Sequence, residues 1–150
     1  MIARLLALVV VVSVVGCTGG YTTVLPNRLD ALNRRPAQFA ADAAKRTYPA
    51  EVPVADANLI RGEADYTFDH LHLLNLTEEP MADVEIWVNQ EYVVFLPEFP
   101  SKPTIVKIPF RALYNQNAIH FPTNNRAVSV REVQVLVDGE LLDVPVDIAD

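Results

Sequence analysis

The chain has 150 residues, 51% of them hydrophobic, a single cysteine and a formal net charge of −7. One cysteine allows no intramolecular disulfide, and the length fits a single domain with a tether. Residues 18–63 hold six basic and five acidic side chains, whereas residues 64–150 hold five and fourteen, so the C-terminal part repels nucleic-acid phosphates and anionic lipid.

In chain order, Arg4 gives a positive start and residues 5–15 an apolar run. That run is too short to span a bilayer as a helix, which takes about 20 residues, but it suits the apolar part of a signal peptide. It ends in Val14-Val15-Gly16-Cys17. This stretch resembles the lipobox of bacterial prolipoproteins: an aliphatic residue, a small or β-branched one, Gly or Ala, then Cys. The resemblance covers the first seventeen residues only. It implies cleavage of residues 1–16 and lipid on Cys17 through a thioether, a bond that suits a thiolate nucleophile. It also implies a cell-envelope location, anchored to the membrane by that lipid. Thr18 stands where an Asp would favour retention at the inner membrane, so in a Gram-negative cell the resemblance points to the periplasmic face of the outer membrane.

Residues 17–63 read as a lipidated N-terminus and a partly helical tether. Leu25, Leu29 and Leu32 fall on one face of a short helix. Pro36 suits a first helical position in "PAQFAADAAKRT", and Lys45 and Arg46 would complement the dipole at its end. Pro49 and Pro53 stop it. Two readings stay open: a spacer that lifts the module off the membrane, or an extra helix packed on the module through Phe39.

From residue 64 the period changes to two, which marks strands. "ADYTFDHLHLLNLT" alternates as one strand, with His70 and His72 on one side and Leu71 and Leu73 on the other. "ADVEIWV" and "EYVVFLP" form a hairpin; a two-residue Asn89-Gln90 loop would set Trp87 opposite Tyr92 and Ile86 opposite Val93. "TIVKIPFRALY" is a strand that Pro109 confines to an edge or bulge. "AIHFP" and "VSVREVQVLV" follow. Asp138-Gly139 is a strong hairpin signal, leading into "ELLDVPV" and setting Val135 opposite Leu142 and Val133 opposite Val144. The expected fold over residues 64–150 is therefore all-β: an antiparallel β-sandwich of about seven strands, of immunoglobulin-like size.

The chemistry-bearing residues are sparse. His70, His72 and His120 would suit zinc or copper if they converged, which makes a periplasmic metal-binding protein the alternative reading. Ser101 and Ser129 lie outside any nucleophile-elbow pattern, and neither a glycine-rich phosphate loop nor a calcium loop is present. Asn75-Leu76-Thr77 matches a glycosylation acceptor but reads as a strand end and turn. No catalytic residue and no cofactor is assigned, and the expectation is a non-enzymatic binding or structural module. Trp87 and Tyr92, as cross-strand neighbours, would make an aromatic patch for an envelope protein or polymer if their face is open, and ordinary core if it is covered.

Overall fold

The computed structural model describes residues 29–123 and 128–149. Cys17, the whole lipobox-like stretch and Leu25 lie outside the described residues. The described chain is mostly β, with nine strands: β1 Val54–Ala55, β2 Ile60–Asp65, β3 His70–Asn75, β4 Met81–Val88, β5 Tyr92–Phe99, β6 Ile105–Pro109, β7 Val133–Val137, β8 Glu140–Val144 and β9 Val146–Ala149. They form a five-stranded sheet, β1-β8-β7-β4-β5, and a four-stranded sheet, β6-β3-β2-β9. Alternate residues of each sheet face a shared interior. Ile86, Leu96 and Val135 from one sheet, and Leu71, Leu73 and Ile108 from the other, are all fully buried in one core cluster. Each such side chain contributes roughly 1.5–3 kcal/mol. Among the described residues no helix is long and apolar enough to cross a membrane.

Several elements follow from local sequence. Asp138 and Gly139 both adopt positive φ, 51° and 79°, as a type I′ turn requires. The resulting β7–β8 register pairs Val135 with Leu142 and Val133 with Val144, as expected. Pro109 ends β6, which is an edge strand.

The strand count and pairing differ from expectation for identifiable reasons. The stretch read as one strand from residue 64 is the β2–β3 hairpin. The Asp65 carboxylate accepts hydrogen bonds from the Thr67 and Phe68 amides (2.9 and 3.1 Å) and turns the chain. Asp69, at φ 54°, completes the reversal, and β2 then pairs with β3 over six residues. At Pro145 the chain leaves the five-stranded sheet, and β9 pairs in parallel with β2. The small side of Gly62 permits this crossing: its amide donates to the Pro145 carbonyl at 2.9 Å. β1 adds a second parallel pair, on β8. The sheets are therefore mixed, not wholly antiparallel. "AIHFP" is no strand; it folds back on residues 113–115 through single bridges.

The β4–β5 hairpin carries the most consequential difference. Its loop has three residues, 89–91, so Val88 pairs with Tyr92, Trp87 with Val93 and Ile86 with Val94. A one-residue shift in register moves every side chain of a strand to the other face. Tyr92 consequently points into the sandwich, edge-on to Phe121 at 5.2 Å, while Trp87 points outward.

Outward does not mean exposed. Residues 29–53 form a strap against the outer face of the five-stranded sheet, and β1 then joins that sheet at its edge. A 3₁₀ turn at Asp30–Leu32 precedes helix α1, Pro36–Ala43. Pro36 occupies the first turn as expected, and Gln38 reaches back to accept the Arg35 amide at 2.8 Å. The helix ends at Ala43, so Lys45 and Arg46 lie beyond its last turn instead of within it. Phe39 and Ala43 are buried in the core cluster. Beyond the helix, Tyr48 meets Trp87 edge-on, with ring centroids 5.5 Å apart. The Arg46 guanidinium lies over the Phe95 ring at 4.3 Å and pairs with Glu85 at 3.2 Å. Of the two readings of this segment, its described part packs on the module.

Candidate functional site

Trp87 and Tyr92 allow two readings, an open aromatic patch or ordinary core, and both residues are buried. Trp87 is 1% exposed and Tyr92 7%, on opposite faces of one sheet. Trp87 is held by the strap: its indole N–H donates to Glu85 at 3.1 Å, and Glu85 in turn pairs with Arg46.

The histidines separate as well. His70 and His72 do leave one face of β3, with ring centroids 6.2 Å apart. The His70 Nδ1–H donates to the Phe68 carbonyl, and His72 lies 3.4 Å from Glu63. His120, however, belongs to the 113–121 fold-back, stacked edge-on against Tyr114, whose backbone bridges to Val93 of the other sheet. Among the described residues, no group of three or more His, Cys, Asp or Glu side chains is placed to hold a metal ion. Asn75 is fully buried; its amide donates to the Glu79 carbonyl and its oxygen accepts from the Thr77 amide and hydroxyl. It closes a turn.

What the strap and the two turns build together is a cleft. Its volume is about 310 Å³, at the low end of the roughly 300–1,000 Å³ common for small-molecule sites. Trp87 and Tyr48 line its aromatic side; Gln90, Glu91, Asn115, Gln116, Asn117 and Thr47 line the rest. Asn115, 6% exposed, organises the rim. Its side-chain oxygen accepts from the Asn117 and Ile119 amides, both at 3.0 Å. Its side-chain NH2 donates to Glu91 at 2.9 Å, which ties one turn to the other. Gln116 donates to the Arg46 carbonyl of the strap at 2.9 Å. The Tyr48 hydroxyl donates to the Gln134 side-chain oxygen at 2.6 Å. Burial first, and after it the Glu132 carboxylate, raise the Tyr48 pKa above the ordinary tyrosine value. Burial, and after it the neighbouring Glu91, raises that of Tyr92.

Sequence reasoning placed Trp87 in a candidate site but missed its neighbours. The available signal was the Asn-Gln dipeptide, which occurs at residues 89–90 and again at 115–116, once at each turn of the cleft. Chemically, amides neither give nor take protons near neutral pH; they donate and accept hydrogen bonds. The arrangement is suited to recognition.

A second, shallower cleft of about 210 Å³ lies on the uncovered face of the four-stranded sheet, lined by Arg61, Glu63, His72 and Asp147 among others. There Lys107, His72, Glu63 and Asp147 form one row across four strands, two nitrogen bases followed by two carboxylates, with His72 and Glu63 meeting at its centre. No protein-family model, no curated protein and no solved structure matches the chain.

Proposed function

We propose that this is a lipid-anchored cell-envelope protein whose β-module binds another envelope component and catalyses no reaction. The anchor rests on one observation, the Val14-Val15-Gly16-Cys17 stretch after Arg4 and an apolar run. One acyl chain binds membranes marginally, whereas two or more anchor stably; the lipid implied for Cys17 is of the second kind. Residues 18–28 separate Cys17 from the packed chain, a reach of at most about 40 Å when fully extended. The module therefore works close to the membrane surface, at the periplasmic face of the outer membrane in a Gram-negative cell. Its two sheets fit the immunoglobulin-like size class of sandwich, an architecture whose loops serve recognition. The amide-lined cleft supports binding over catalysis.

The test is metabolic labelling in a bacterial host with a palmitate analogue. The wild-type chain takes up label and Cys17→Ser does not. Equal labelling of both refutes the anchor.

A further inference from the structure

We propose that the cleft between the 89–91 and 115–118 turns binds a neutral saccharide. The inference rests on the reading of the module as a binding module and names its ligand class.

The first observation is backbone strain. Among the described residues, seven other than glycine have positive φ: Asn58, Asp69, Asp83, Asn89, Gln90, Ala118 and Asp138. Five are Asn or Asp, which tolerate that conformation through short polar side chains. The other two, Gln90 at φ 59° and Ala118 at φ 60°, stand on the two turns that flank this cleft. Strained residues persist where the surrounding structure over-determines them, and they cluster at ligand-binding sites.

The second observation is unspent hydrogen-bonding capacity on a fixed rim. Asn115 and Gln116 are committed to holding the turns and the strap. Among the described residues, the side chains of Gln90, Asn117 and Thr47 have no hydrogen-bond partner, and all three are exposed at the cleft. Amides and a hydroxyl each donate and accept, as do the vicinal hydroxyls of a sugar. The half-buried Tyr48 ring offers apolar surface for the C–H face of a sugar ring. Because Asn115 and Gln116 already hold the turns, the ordering cost on binding is confined to the side chains of Gln90, Asn117 and Thr47.

Charge narrows the class. Glu91 stands on the rim, and Glu132 acts on Tyr48 from beside it. Acidic sugars are repelled, so among saccharides the uncharged ones are proposed. An extended peptide would instead be expected to add to a free strand edge, whereas side chains and turns line this cleft.

Trp87 is the only tryptophan of the chain and lines the cleft, so its fluorescence reports occupancy. The full-length chain, in a zwitterionic detergent without a sugar headgroup, is titrated with chitotetraose, cellotetraose and maltotetraose. Tetragalacturonate and tetra-alanine serve as the acidic and peptide probes. The expected result is a saturable fluorescence change with at least one neutral tetrasaccharide. Tetragalacturonate should bind at least about tenfold more weakly, and Gln90→Ala/Asn117→Ala should weaken the neutral ligand about tenfold, by the loss of two hydrogen bonds. Gln90→Gly separates binding from folding: it relieves the strained φ, so Tm holds or rises while affinity falls. The proposal is overturned by no saturable change with any neutral probe up to about 10 mM, by unchanged affinity in these variants, or by tighter binding of the acidic or peptide probe. A chain that labels at Cys17 yet binds no saccharide loses this site and keeps its anchor.

Discussion

Removing one oxygen atom tests how the strap is fastened. Tyr48→Phe deletes the hydroxyl that donates to the Gln134 side-chain oxygen at 2.6 Å. The aromatic contact with Trp87 at 5.5 Å is kept, because the ring is unchanged. Gln134 is 5% exposed, so water cannot readily replace the lost donor. Leaving a buried acceptor without a donor costs roughly 1–3 kcal/mol. For a chain of this size about 1 kcal/mol moves Tm by about 3–5 °C, so the melt should fall by roughly 3–15 °C. Thermal and urea unfolding followed by circular dichroism measure it. The double variant Tyr48→Phe/Gln134→Leu removes both partners and should recover most of the loss, since an apolar pair leaves nothing unsatisfied. A Tyr48→Phe change within about 0.5 kcal/mol of wild type, or a double variant whose losses simply add, refutes the reasoning.

Three further outcomes follow from the same geometry. In Gly62→Ala, the added methyl would lie 3.0 Å from Val146 Cγ2 and 3.1 Å from Leu73 Cδ2; overpacking of this kind costs roughly 1–3 kcal/mol, and a urea midpoint equal to wild type would contradict the β2–β9 crossing. Asn75→Ala removes three hydrogen bonds at a fully buried position and should cost roughly 2–4 kcal/mol, whereas an unchanged midpoint would show that the turn after β3 is held by other means. Burial first, with Glu132 and Glu91 respectively, raises the pKa of Tyr48 and Tyr92 in the folded chain. The unfolded chain therefore loses these protons first. Their contribution is intact below about pH 10 and is lost as pH rises through the folded-state values. Urea midpoints between pH 9 and 11 should fall more steeply for wild type than for Tyr48→Phe/Tyr92→Phe, and equal slopes would be contrary.

The readable parts of the fold were those decided by neighbours in sequence. Asp138-Gly139 forces a two-residue turn, and a two-residue turn fixes the register of β7 on β8. Pro36 and Pro109 mark a helix start and an edge because each lacks an amide hydrogen. The unreadable parts were decided by residues far away. Asn89 looked like the start of a two-residue loop. Its side chain instead donates to the Ser129 carbonyl at 2.9 Å and accepts from the Arg131 amide at 2.8 Å, so the turn is shaped by a segment forty residues on. The consequence was a one-residue slip that put Trp87 and Tyr92 on one face. A clue to the correct arrangement lay in "YVVFL", an unbroken apolar run that suits a strand buried on both faces. Tyr66, Phe68, His70 and His72 kept perfect alternation through a turn, and only the Asp65 side chain betrayed it. For the cleft, a single residue, Trp87, was visible in advance, because its rim comes from the strap, the 89–91 turn and the 115–118 turn together.

The proposed anchor would give the module its place, and the mass of the mature chain tests it most directly. Intact-mass spectrometry of protein purified from the membrane fraction of a bacterial host should find a chain that begins at Cys17 and carries the added mass of a diacylglyceryl group, with or without a further acyl chain. A chain that retains residues 1–16, or one cut elsewhere with an unmodified Cys17 thiol, contradicts the account.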